Sequence, residues 1–252
     1  MRLTVIGCSG SYPGPDSAAS CYLVEAPHAG RTWRILLDLG SGALGTLQRY
    51  LDPLDVDAVF ISHLHPDHFF DISGYYVLRK YHPVGAQSPI PVWGPEGLGS
   101  RSASAYGLPE NPGMSAEFDF QAYDGRAIEL GPFTVTTTEM AHPIDAFGLR
   151  VEADGRVLAY SGDTGPCGSL VDLARGADLL LAEAAFREGT DNPGNLHLTG
   201  REAGVAAVEA GVGRLVLTHI PPWHDKQDAF DEAREVFDGH LELAATGATY
   251  DI

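Results

Sequence analysis

Short apolar runs cut off by Gly, Pro or Asp set the rhythm of the first sixty residues. Leu3–Ile6, Cys21–Glu25, Arg34–Asp38 and Ala58–Ser62 have the length and side-chain content of strands. Ala58–Ser62 stays apolar until its last residue, the pattern of a buried strand. A helix is predicted over Ala43–Tyr50. A second begins just past Asp67, where Phe69, Ile72, Tyr76 and Val77 fall at helical spacing. Residues 83–115 are rich in Gly, Pro and Ser and read as a long irregular segment over one face, of the kind used as a lid or mobile surface.

The second half alternates more regularly. Strands are predicted at Phe133–Glu139, Gly148–Glu152, Val157–Tyr160, Asp178–Ala182 and Arg214–Thr218, with a helix between the last two. That helix is the best-marked element of the chain. Thr199 and Glu202 form a capping box, Ala203, Ala206, Ala207 and Ala210 share one small-residue face, and Gly211 supplies the stop. Sheets with helices outside them give an α/β layered domain. With no linker rich in Pro, Ser or charge, residues 1–252 read as one domain.

Composition narrows the function. A hydrophobic content of 44% supports a sizeable core, and 16 basic against 34 acidic residues give a formal charge of −18. Such a field repels a polyanion, so extended contact with RNA or DNA is disfavoured. Cys8, Cys21 and Cys167 share no metal-type spacing and read as reduced thiols. The chain opens on a strand, shows no signal peptide and has no apolar run of membrane-spanning length, so a soluble cytoplasmic protein is expected.

The chemistry is concentrated in His63-Leu64-His65-Pro66-Asp67-His68. Three imidazoles and a carboxylate in one turn pack poorly and ligate metals well. The other donor residues share one structural address. His63 follows the strand Ala58–Ser62, His142 follows Thr134–Glu139, Asp163 follows Val157–Tyr160, and His219 follows Leu215–Thr218. Sites in α/β sheets gather at such carboxyl ends. Any one of these residues alone would read as a structural histidine or a turn aspartate. Seven together (His63, His65, Asp67, His68, His142, Asp163, His219) are too many for one tetrahedral ion and suit two that share a bridging carboxylate. Two divalent ions about 3.5–4 Å apart are hydrolytic machinery and favour phosphoester substrates. Imidazole suits zinc, and iron or manganese fit the same donors.

This motif, followed in order by His142, Asp163 and His219, resembles the metallo-β-lactamase fold of binuclear metallohydrolases. The resemblance spans residues 1 to about 245 and implies a four-layer αββα sandwich with the metals at the edge between two sheets. It also implies one metal on His63, His65 and His142, another on Asp67, His68 and His219, and Asp163 as the bridge. Within the fold, the glycine-rich opening Gly7-Cys8-Ser9-Gly10-Ser11 with Asp16-Ser17 is similar to the phosphodiesterase branch that includes tRNA 3′-end ribonucleases. So are Glu183 and His197, which in that branch act on the scissile phosphate and the leaving oxygen. Asp67, His197 and Glu183 are therefore the expected catalytic residues, and Ser9, Gly10, Ser11 and Trp223 the expected substrate-binding ones. His197 precedes the capped helix by two residues, where partial positive charge favours phosphate.

The departures bear on the substrate. Only twenty residues separate His142 from Asp163, where those ribonucleases that grip RNA insert an arm, and Ile220-Pro221-Pro222-Trp223 replaces their Ser-x-Arg-Tyr-like motif. Gly7–Ser11, Tyr81-His82-Pro83, Ala141-His142-Pro143, Tyr160–Gly165 and Thr218–Trp223 together resemble the atypical cyclic-nucleotide phosphodiesterases of this fold, which act on 3′,5′-cyclic AMP. The expected partner is then a small cyclic nucleotide, with no extended nucleic acid and no membrane, and relatives imply a homodimer. RNA 3′-end cleavage, thioester or lactone opening, or a metal-free binding protein on the same fold are the rivals. His28, His82, His240 and His224 are expected at the surface. Tyr12, Tyr75, Tyr76 and Trp223 either stack on a base or, for Tyr75 and Tyr76, pack in the core.

Overall fold

The computed structural model describes residues 1–252. Its first sheet holds β1 (Arg2–Ser9), β2 (Ala18–Ala19), β3 (Cys21–His28), β4 (Arg31–Leu37), β5 (Ala58–Phe60), β6 (Ile90–Gly94), β7 (Phe118–Ala122) and, from the far end of the chain, β15 (Thr249–Asp251). The second holds β8 (Ile128–Leu130), β9 (Phe133–Glu139), β10 (Phe147–Ala153), β11 (Arg156–Tyr160), β12 (Leu179–Glu183), β13 (Arg214–Thr218) and β14 (His240–Leu243). The strand orders are β15-β1-β3-β4-β5-β6-β7 and β14-β13-β12-β11-β10-β9-β8, with β2 paired to β1. The carboxyl-terminal strand thus closes the sheet that the amino-terminal strand opens.

Alternation along each strand explains the layering. Leu37, Phe60, Leu158, Leu181 and Val216 point between the sheets into one shared core. Their neighbours Leu36, Val59 and Ile61 point the other way, onto α1 (Ala43–Leu47), α3 (Ile72–Tyr81) and α4 (Leu98–Tyr106). Leu180, Leu215 and Leu217 likewise face α5 (Gly168–Ala174), α6 (Gly200–Ala210) and α7 (Lys226–Arg234). The result is helices, sheet, sheet, helices. Central strands covered on both faces have no polar side to show, which is why their sequences run unbroken. No helix is long and apolar enough to cross a membrane.

Several elements differ from the sequence reading. Residues 83–115 are not one irregular stretch: they contain β6 and α4. Pro91 hides the strand, yet β5 pairs only with Val92 and Trp93, so the missing N–H lies beyond that ladder. The helix expected after Asp67 is split into α2 (Pro66–Phe69) and α3: the Asp71 N–H leaves the helical ladder for the Leu39 carbonyl at 3.1 Å. The first helix stops at Leu47 rather than Tyr50. The capping box of α6 is present, and Gly211 ends that helix in the left-handed region at φ 65°.

Candidate metal centre

Loops at the carboxyl ends of β5, β9, β11 and β13 bring all seven predicted donors together in two groups. In the first, His63 Nε2 lies 3.0 Å from His65 Nδ1, and His142 Nε2 lies 3.2 Å from the same atom. Asp163 Oδ2 stands 3.6 Å from His63 Nε2. In the second, His219 Nε2 lies 3.1 Å from both His68 Nε2 and Asp67 Oδ2. Asp163 Oδ1 faces this group, 3.2 Å from His68 Nε2 and 3.4 Å from His219 Nε2. Asp163 therefore turns one oxygen to each group.

The donors fit divalent cations on three counts. Ligand atoms about 2.0–2.1 Å from a tetrahedral zinc stand roughly 3.3 Å apart, which is the spacing found here. Next, protons are placed elsewhere. His142 Nδ1 donates to the Leu196 carbonyl at 3.0 Å, which leaves its Nε2 lone pair free, and His68 Nδ1 donates to Asp38 Oδ2 at 2.7 Å, so a cation has only the Nε2 proton of that ring to displace. Finally, Asp163 Oδ1 is buried with no hydrogen-bond donor, a costly state for a carboxylate that a cation relieves.

Burial and charge divide the two groups. Burial, with His68 beside it, holds His63 well below the ordinary histidine range, and burial and His142 lower His65 too. Burial likewise lowers His142. At His68 burial opposes the charge, but Asp163, Asp67 and Asp38 outweigh it and hold the ring well above that range. Burial also works against ionising Asp67 and Asp163, yet the surrounding imidazoles keep both well below the carboxylate range.

Asp38 is the functional residue that sequence reasoning missed. Fully buried, it accepts from Ser62 N at 2.6 Å, Ser62 Oγ at 2.8 Å, His68 Nδ1 at 2.7 Å and the Tyr160 hydroxyl at 2.7 Å. It thereby fixes the tautomer and tilt of His68, as outer partners of metal-binding histidines do. Its backbone sits at φ 61°, and that of His219 at φ 56°. Non-glycine residues in this region are strained, and such strain concentrates at functional sites. The available signal was an aspartate closing the apolar run Ile35-Leu36-Leu37.

His197 and Glu183 stand beside both groups. His197 Nδ1 donates to Glu183 Oε1 at 2.9 Å and lies 3.8 Å from Asp163 Oδ2. Glu183 is buried and pinned by the N–H groups of Thr164 at 2.8 Å and Ala185 at 3.2 Å. Burial opposes a charge on His197, but the Glu183 carboxylate and its hydrogen bond raise the ring to about 9. Together with His219 these two form a third close group of donors.

The first loop is placed differently from the substrate contact expected of it. The Ser9 hydroxyl is buried and donates to the Tyr12 carbonyl at 2.7 Å. A side chain on Gly10 would meet the His219 carbonyl at 2.1 Å, so this glycine permits close approach of two loops. Ser11 N–H points at His219 Nε2 from 3.4 Å. Trp223 is exposed and stacks at a tilt on Tyr12. Tyr75 and Tyr76 are core residues, His28 and His240 are exposed, and His82 and His224 are half-buried.

Residues 33–220, from β4 through the strand-end loop of His219, match the model of the β-lactamase superfamily domain. The chain belongs to that superfamily. ML1173 of Mycobacterium leprae is 46% identical over 257 residues, covering 100% of this chain and 89% of that protein. Ribonuclease Z of Myxococcus xanthus is 29% identical over 307 residues, covering 100% and 98%. Among solved structures, the metallo-β-lactamase fold protein YhfI from Bacillus subtilis superposes with a TM-score of 0.87 at 28% identity, covering 99% of this chain and 98% of that one. Yeast PDE1 shares the fold, with a TM-score of 0.76 at 12% identity over 100% and 99% of the two chains. The fold is the mixed α/β metallo-β-lactamase fold, and its His/Asp clusters are able to hold metal ions.

Proposed function

We propose that this chain is a metal-dependent phosphodiesterase that opens 3′,5′-cyclic nucleotides, cAMP foremost, to 5′-monophosphates. One observation carries the reading: two donor clusters share Asp163, and a histidine braced on Glu183 stands beside both. Five imidazoles and two carboxylates favour zinc, with manganese or iron as substitutes. One cation would rest on His63, His65, His142 and Asp163, the other on Asp67, His68, His219 and Asp163. When bound, the ions supply Lewis acidity, making water a nucleophile near neutral pH and offsetting phosphoryl charge.

The chain's own residues do the rest. Asp67 is held as a carboxylate by His68 and His219 and accepts a hydrogen bond from the attacking water. His197, protonated at neutral pH, makes no protein hydrogen bond through Nε2. As oxygen bonds to phosphorus and the bond to the 3′-oxygen breaks, that Nε2 proton passes to the leaving oxygen. Glu183 holds the ring for the transfer.

Two features support a small substrate over RNA. Between His142 and Asp163 the chain has room only for the β10–β11 hairpin, and the net charge of −18 opposes a polyanion. The relative named ribonuclease Z also belongs to phosphodiester chemistry, so RNA is the reading to test against. Metal-loaded protein should turn over 3′,5′-cAMP faster than 2′,3′-cyclic nucleotides, a pre-tRNA or a thioester; no turnover of any cyclic nucleotide overturns the proposal. His197→Ala should keep both metals and lose about 10²–10⁴-fold in kcat. Metal content falling as steeply as activity would make His197 a ligand instead.

A further inference from the structure

We propose that Tyr12 and Trp223 form a stacking platform for the heterocyclic base of the substrate, an inference that rests on the phosphodiesterase reading. Their ring centroids are 5.2 Å apart with planes inclined by 34°. Trp223 is 60% exposed and Tyr12 43%, so each ring keeps a face open to solvent. Both belong to loops that touch the metal centre. Tyr12 follows Ser11, whose N–H lies 3.4 Å from His219 Nε2, and Trp223 lies four residues past His219.

The loops are braced against each other, so the rings are held in place rather than trailing in solvent. Gly10 N–H donates to the Ile220 carbonyl at 3.3 Å, and the Ser9 hydroxyl fixes the Tyr12 carbonyl at 2.7 Å. His224 also packs against Trp223 in a T-shaped arrangement at 6.0 Å between centroids. Exposed aromatic faces beside a phosphodiester site suit a base, because every base offers a π-face and stacking needs no charge. On a surface of net charge −18, recognition through a neutral face avoids the repulsion an anionic ligand meets elsewhere. A second copy of the chain is a poorer occupant, since a stable interface buries about 800 Å² per partner and this platform is two rings wide.

The competing location is the cavity of about 800 Å³ between α2 and α4, which borders Leu64 and Pro66. It offers Arg101 but also Glu96 and Glu110, an unfavourable balance for a monoanion.

The test compares 3′,5′-cAMP with the base-free 3′,5′-cyclic phosphate of 1-deoxyribose on metal-loaded protein. Tyr12→Ala and Trp223→Ala should each raise KM for cAMP about 5- to 150-fold, the range of one lost stacking contact, with kcat within a few-fold. The base-free substrate should lose about twofold or less. Trp223→Phe should restore most of the loss. AMP should quench tryptophan emission, and Trp223→Phe, which keeps Trp33 and Trp93, should abolish the quench. Equal losses on both substrates, a quench that survives Trp223→Phe, or a base-selective KM defect in Arg101→Ala instead would overturn the platform. If the wild type opens no cyclic nucleotide, the phosphodiesterase reading fails, and the AMP quench still decides the platform by itself.

Discussion

The two donor clusters draw on the same residue types and reach opposite electrostatic states. Among the donors grouped with His63, His65 and His142 the only carboxylate is the shared Asp163, two of the rings are half-buried, and all three are pushed toward neutrality. Around His68 and His219 stand Asp67 and Asp163, with Asp38 behind, everything is buried, and His68 is pushed toward imidazolium. Charge at a cation site comes mainly from its carboxylates, so the second cluster is built for tight retention. The first faces solvent through His65 and His142. Position in the fold, more than ligand identity, sets the division.

Removing the residue common to both clusters is the severest way to break the comparison. Asp163→Ala deprives each cluster of its shared oxygen, leaving His63, His65 and His142 with no carboxylate among them and His68 and His219 with Asp67. Turnover should fall on the order of 10⁴-fold, and both metal equivalents should weaken in a competitive chelator titration. One equivalent retained at full affinity would mean that the clusters are independent.

Asp38→Asn is the milder and more selective break. It keeps the volume, removes the charge and replaces one accepting oxygen with an amide donor facing Ser62, His68 and Tyr160. Loss of such an outer partner typically costs 10–100-fold in metal affinity. The loss should fall on the second cluster alone, read as one weakened and one unchanged equivalent in the same titration. Equal weakening of both would show that Asp38 supports the whole loop 63–68 rather than His68.

The contrast between these residues also explains what was legible in sequence. The seven donors could be found because each lies within three residues of a strand end or in one six-residue turn, where a His or Asp stands out. Asp38 has the same strand-end address, yet a single aspartate two residues before Gly40 reads as a turn residue. Its partners His68 and Tyr160 lie 30 and 122 positions away, and only the sandwich brings them together. Tertiary packing likewise made α4 from Leu98-Gly99-Ser100-Arg101-Ser102-Ala103, a stretch with weak helix propensity. Left-handed glycines bracket it at Gly97 and Gly107, and Leu98, Ser102 and Ala103 are buried. The α6 capping box needed no such help, because both its partners lie within four residues.

The smallest expected effect separates the clusters by pH in the metal-free protein. His63, His65 and His142 have folded-state values below the ordinary 6.5, so their contribution to stability is present above 6.5 and lost as pH falls. His68 and His197 are raised, the latter to about 9, so their contribution is complete below 6.5 and lost as pH rises toward 9. Asp67 and Asp163 are depressed carboxylates whose contribution fades only below the ordinary 3.8. Stability should therefore peak near neutrality and decline on both sides, by at most about 1.4 kcal/mol per pH unit for each proton linked, with melting temperature as the readout. His63→Ala should flatten the acid limb and leave the alkaline limb, whereas Asp38→Asn, which removes one of the charges that raise His68, should do the reverse. Bound cations require neutral imidazoles, so metal should lift the alkaline side and steepen the acid one, where protons compete for the same nitrogens. A single limb moved equally by both substitutions would show that the clusters titrate as one unit, and the electrostatic division between them would fall.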